Sequence, residues 1–243
     1  AAPPPAAPPP IELLLPPLRA DIEAKTSLGE AAHTAALEAL LPGSDDEKAR
    51  VLDAVSKAKD GRRFLTCAVR LSREKMPERF VELMESLAPH LARLGLTPLL
   101  CGAAADAEYA AALKARLRAA VPAAVIIDSF LDPPALAAVF AHTALNVHPS
   151  QYDAYGMTIV EAAAFAAPTL LPAGGGVGAS RLLPTDAGAS LEADFGAGAT
   201  ALADQVVALL EAPADLRRVG MAAQKRALAW GEEAYGQELH KLL

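Results

Sequence analysis

From residue 64 to about 229 the chain alternates short apolar runs with longer segments of helical pattern. No other feature restricts the fold as tightly. The runs at 64–69, 97–102, 123–127, 144–147 and 168–171 read as buried strands, with a further short strand at 189–191. Between and after them, 78–92, 106–119, 133–142, 156–165, 199–210 and 214–229 read as helices. Short apolar runs separated by helices of ten or so residues cannot pair as hairpins. They pair in parallel, through right-handed crossovers. The expected fold class is therefore α/β, a doubly wound parallel sheet of Rossmann-like type.

A less sharply patterned lead-in precedes this unit. Residues 1–10 are only Pro and Ala and are expected to form an extended tail. A short strand and turn is expected at 11–19, then helices over 22–41 and 45–59, with Ser44 or Asp45 as N-cap and Pro42-Gly43 ending the helix before. The chain is thus divided into a tail (1–10), a partly helical lead-in (11–60) and the α/β domain (61–243).

Composition sets limits on function. A formal net charge of −7 argues against a general polyanion binder, so no nucleic-acid partner is expected. Hydrophobic residues make up 53% of the chain, yet no run reaches the ~18–20 uninterrupted apolar residues of a membrane span, so no transmembrane segment is expected. The amino terminus lacks the basic start and apolar stretch of a secretory signal. Cys67 and Cys101 both sit inside apolar runs and read as buried core thiols, which fits a reducing, cytoplasmic compartment. Nothing has metal-ligand spacing, and neither a metal nor another cofactor is expected.

The densest chemistry follows the strand at 144–147. There His148, Pro149, Ser150, Asp153, Tyr155 and Gly156 lead into a helix carrying Glu161. A strand, a loop of polar side chains and a helix N-terminus together make an anion site at the carboxyl edge of an α/β sheet. Gly156, Met157 and Thr158 form the first turn, whose N–H groups lack intrahelical acceptors. The plainer alternative is that Gly156 only serves a positive-φ turn, which the carboxylates on both sides of it disfavour. Glu161 lies in an apolar helix and needs a partner, whereas His148 reads as a packing residue. Arg70 and Lys75 follow the first strong strand, at a spacing that can place a guanidinium fork and a point charge around a diphosphate. Basic residues after a strand are, however, commonly just solvated. Gly174, Gly175 and Gly176 follow the strand at 168–171, where flexibility alone would also explain them.

Together these motifs resemble the donor half of retaining glycosyltransferases of the GT-B fold, the glycogen-synthase-like group 1 family. The resemblance rests on Pro149-Ser150, on Asp153 and Glu161 with seven residues between them, on Tyr155-Gly156, on Arg70 with Lys75, and on the glycines after the next strand. It covers roughly 64–235, including Trp230 before the last helix. It implies that Arg70, Lys75 and the 156–158 turn bind the donor diphosphate, that Glu161 takes the ribose, and that Asp153 acts at the transferred sugar. Ser150, Tyr155 and Gly174–Gly176 would line the donor loops. The chain departs from the family at Asp153, where a Glu is usual, and at Val69 and Ala166, where Gly is usual. It also departs at Gly178-Ala179, which stand where a Pro-Glu pair is usual shortly after the glycines.

The expected function is sugar transfer from a nucleoside-diphosphate sugar, a co-substrate, to an acceptor with retention. The acceptor-binding N-terminal domain is an expected partner, because residues 1–60 are too few to supply it. The alternative is a catalytically incompetent nucleotide-binding or protein-interaction module on the same fold. Another nucleotide-sugar enzyme, such as an epimerase, is a third reading. A dehydrogenase is disfavoured, because Arg70-Leu71-Ser72-Arg73 stands where a Gly-x-Gly-x-x-Gly turn would be.

Overall fold

The computed structural model describes residues 14–242. The expected tail at 1–10 and the start of the 11–19 run lie outside them. The α/β unit contains β1 (Phe64–Ala68), α4 (Pro77–Leu94), β2 (Thr97–Cys101), α5 (Ala107–Ala120), β3 (Val125–Ile127), α6 (Pro133–Ala141) and β4 (Thr143–Val147). It continues with β5 (Tyr152–Asp153), α7 (Met157–Ala164), β6 (Thr169–Pro172), β7 (Gly176–Val177), β8 (Leu191–Ala193), α8 (Ala199–Leu210), α9 (Pro213–Leu228) and α10 (Glu232–Leu242). The lead-in holds α1 (Ala20–Glu23), α2 (Glu30–Leu40) and α3 (Asp45–Ser56).

Six parallel strands form the main sheet in the order β3-β2-β1-β4-β6-β8. Progression runs outward one way from β1 to β3 and the other way from β4 to β8. The crevice between β1 and β4 is therefore the switch point, where doubly wound sheets bind ligands at the carboxyl edge. Helices cover both faces, so the strands are buried on both sides. Phe64 and Ala68 of β1 face a core shared with α6, α7 and the lead-in, while Leu65 and Cys67 face α4, α5 and α8. Cys67 and Cys101 lie on neighbouring strands as expected, but they belong to opposite faces.

Helix ends follow local chemistry. Ser44 and Glu47 form a capping box at α3, Asp106 and Asp132 cap α5 and α6 through their side chains, and Pro77 and Pro133 occupy first turns. Gly95 ends α4 in the left-handed conformation.

The lead-in differs from expectation in two ways. The helix expected over 22–41 is interrupted, because Leu28 is extended and Gly29 starts α2 afresh after a 3₁₀ turn at Ala24–Ser27. The strand expected in 11–19 is, over its described part, a single bridge from Leu18 to Gly231. Leu18, Ile22, Leu37, Leu41 and Val55 join the same core as α6 and α7, so the lead-in packs as part of one sheet face.

Candidate donor site at the sheet's switch point

The loops after β1, β4 and β6 converge at the carboxyl edge. After β1 the chain makes a 3₁₀ turn, Arg73–Lys75, and Met76 then takes a left-handed conformation (φ 51°) to start α4. This turn carries Lys75 toward the loop after β4. Lys75 Nζ lies 2.6 Å from Asp153 Oδ2, with both side chains largely buried. His148 Nε2 approaches the same oxygen at 3.3 Å. The imidazole, and then the ammonium, hold the Asp153 carboxyl well below the usual carboxylate range against the opposing effect of burial. Asp153 Oδ1 also accepts from the Tyr155 N–H at 3.3 Å, which turns the chain toward Gly156.

Gly156 (φ 87°) is the residue before α7. Its positive φ favours glycine, and a Cβ there would also press on Ile159 Cδ1 at 2.6 Å. Met157 and Thr158, half-buried, begin the helix and present its free N–H groups. Glu161, a turn further on, is 2% exposed. Its partner comes from the lead-in: Arg19 Nη1 stands 3.3 Å from Oε1, and Arg19 also pairs with Asp21 at 2.6 Å. Burial pushes the Glu161 carboxyl up, and Arg19 opposes that.

The structure thus brings Lys75 and Asp153 together, whereas the resemblance assigned them to different parts of the donor. Arg70 is exposed and pairs with Glu74 at 3.0 Å, away from that contact. Ser150 is buried, its hydroxyl 3.5 Å from the Glu74 carbonyl, so it ties the β4 loop to the β1 loop. Arg73, which matched no family position, stacks its guanidinium 4.6 Å over the Tyr109 ring.

The glycine loop lies directly under the β4 loop. Tyr152 and Asp153 of β5 pair in parallel with Gly176 and Val177 of β7. The Gly176 N–H donates to the Gln151 carbonyl at 2.8 Å, and the Gly175 N–H donates to the Pro172 carbonyl at 3.2 Å. A Cβ at Gly175 would meet the Gln151 carbonyl at 2.8 Å, and one at Gly176 would meet the Tyr152 ring at 2.7 Å. Close approach of two loops accounts for these two glycines, and Gly174 (φ 66°) provides the turn.

Sequence reasoning passed over one residue of this site, Arg79, and read another, His148, as packing. Arg79 of α4 donates to the Pro149 carbonyl at 3.3 Å and to Gln151 Oε1 at 3.2 Å, clamping the β4 loop. His148 is not a packing residue alone. Among the described residues, only His148 Nε2 and Tyr155 Oη are buried side-chain polar atoms without a hydrogen-bond partner, and both belong to this loop. Burial pushes the Tyr155 hydroxyl up to about 12. Unpaired buried polar groups are costly, and their concentration on one loop marks a place where a polar ligand would complete the bonding.

A doubly wound parallel sheet with a cationic turn, an acid and a helix N-terminus gathered at its switch point defines a Rossmann-like domain with a candidate ligand site at that edge. The sequence profile of the family described as "Glycosyl transferases group 1" matches residues 49–226, and the chain belongs to that family. No curated protein sequence matches it. Among solved structures, Anabaena HepE in complex with UDP and glucose is similar with a TM-score of 0.64 and 18% identity, over 84% of this chain and 54% of that one. The α,α-trehalose-phosphate synthase of Burkholderia xenovorans, in complex with glucose-6-phosphate, gives 0.66 and 12%, over 93% and 50%. The C-terminal domain of the group 1 protein LpcC from Francisella tularensis gives 0.59 and 13%, over 78% of this chain and 94% of that domain. At these identities the likeness is one of fold, that of the C-terminal half of a GT-B enzyme. The chain spans about half the length of HepE and of the trehalose-phosphate synthase.

Proposed function

We propose that this chain is the donor-binding half of a retaining glycosyltransferase, which moves a sugar from a nucleoside-diphosphate sugar to an acceptor. Lys75 and Arg70, with the Gly156–Thr158 helix start, take the diphosphate. Glu161 takes the ribose hydroxyls, and Asp153 with His148 faces the transferred sugar. The observation that carries this reading is the placement of Lys75, Asp153 and His148 at one switch point. The leaving diphosphate gains negative charge as the glycosidic bond breaks, and preorganised cations and N–H groups stabilise that charge. In this reading the acceptor site is completed by a second domain facing the carboxyl edge.

The test is calorimetric titration with UDP and UDP-glucose. Each charge-assisted contact is worth ~1.5–3 kcal/mol, so Arg70→Ala with Lys75→Ala should weaken both ligands by well over tenfold. Unchanged affinity in the double variant would sink the assignment.

A further inference from the structure

At the opposite, amino edge of the sheet lies a cavity of about 640 Å³, bounded by the end of the lead-in, the start of β1, the end of α4 and the start of α9. Its charged lining is lopsided for a chain of net charge −7. Lys57, Arg62, Arg63, Arg93 and Arg217 line it, and Asp60 is the one acid among them. Three of these cations are neutralised: Arg217 by Asp60, Lys57 by Asp53 and Arg93 by Glu211. Arg62 and Arg63, both half-buried, have no carboxylate within 4.0 Å among the described residues. At the donor site, by comparison, Arg70 and Lys75 each already face an acid.

These two arginines have a structural task, but it does not exhaust them. Arg62 donates to the Thr143 carbonyl at 2.8 Å and the Phe165 carbonyl at 2.7 Å, and Arg63 donates to the Gly95 carbonyl and to Thr97 Oγ1 at 3.1 Å. Phe165 and Gly95 end α7 and α4, so the guanidiniums meet helix C-termini. Each such end offsets about half a unit charge. About one positive charge therefore remains, and each guanidinium keeps three of its five N–H groups. Burial lowers the pKa of both groups by desolvation; at Arg62 the nearby Asp60 opposes that and Arg217 adds to it. The cavity falls within the ~300–1,000 Å³ of small-molecule sites, and Leu96, Pro168 and Leu216 give it an apolar wall.

We propose that this cavity is a second binding site, for a small phosphate-bearing molecule whose anionic group is held by Arg62 and Arg63 with Arg217 at the mouth. It stands apart from the donor site by the length of β1, roughly 16 Å at ~3.3 Å per residue, and does not depend on the donor reading. A ligand there would bridge β1, α4 and α9 from the far side of the sheet.

Inorganic pyrophosphate is the probe, titrated calorimetrically into protein saturated with UDP and, separately, into the Lys75→Ala variant. One pyrophosphate is expected to bind in both cases. Binding should weaken by tenfold or more in Arg63→Gln and in Arg217→Glu, the latter at an exposed position and with the variant's native melting temperature measured alongside. Absence of binding at millimolar pyrophosphate would overturn the proposal. So would binding that UDP or Lys75→Ala abolishes, or binding that Arg217→Glu leaves unchanged.

Discussion

Lys75 and Asp153, 78 positions apart in the chain, meet at 2.6 Å across the switch point, and His148 stands 3.3 Å from the same carboxylate oxygen. Breaking this contact should cost stability in a pH-dependent way. The Asp153 carboxyl is held below its usual range, so its contribution is present above pH ~4 and lost as pH falls toward its lowered pKa. Asp153→Asn should therefore destabilise by ~1.5–3 kcal/mol at neutral pH. Urea melts should show the gap to wild type closing on acidification.

Glu161 should behave with the opposite sign. Its carboxyl is pushed up by burial, so its contribution is fully present below the ordinary value of ~4.3 and lost as pH rises through the raised one. Relative to Glu161→Gln, wild type should be comparatively most stable in acid. A parallel pH dependence for Asp153→Asn and Glu161→Gln would contradict the different surroundings of the two groups.

Ligand binding should separate the same two residues. On the proposed reading, in which Glu161 accepts from the ribose hydroxyls, Glu161→Ala is expected to weaken UDP itself by about tenfold. Asp153→Ala should leave UDP intact, or tighten it by freeing Lys75, and weaken only UDP-glucose. Equal losses for both ligands in both variants would mean that the carboxylates support the fold alone.

Ala166 holds φ 53°, a left-handed conformation that disfavours any residue with a Cβ. Its carbonyl lies where a Cβ on Gly220 of α9 would come within 2.2 Å. Ala166→Gly should stabilise by ~0.5–1 kcal/mol, and Gly220→Ala should destabilise by ~1–3 kcal/mol through overpacking. Denaturant midpoints would check both signs.

Burial pushes the Cys101 thiol up to about 12 and raises that of Cys67 well above its usual value. Neither should react with a thiol reagent in the native protein, and no bond should form between them, since they belong to opposite faces of the sheet. Both should react promptly once the protein is unfolded in denaturant.

The main sheet was legible because strand and helix periodicities are local, and each strand of the main sheet expected from the pattern is present within a few residues. The short β5–β7 pair was not, since Gly176 carries no side chain to make a pattern and its partner Tyr152 is far off in sequence. Asp153, Glu161 and Lys75 stood out because spacing survives in sequence. His148 and Arg79 did not: a lone imidazole before Pro149 and an arginine in a helix's first turns gain meaning only from what the fold sets beside them. Arg19 was hidden for the same reason, 142 positions from the carboxylate it meets.

Trp230, the sole tryptophan, donates its indole N–H to the Leu15 carbonyl at 3.1 Å, and its own carbonyl accepts from Leu18 at 2.8 Å. The lead-in thus carries Arg19 toward Glu161 while anchored to the molecule's single strong fluorophore. Detachment of that segment would rehydrate the indole and move its emission to longer wavelength, an optical signal native to the protein that needs no label.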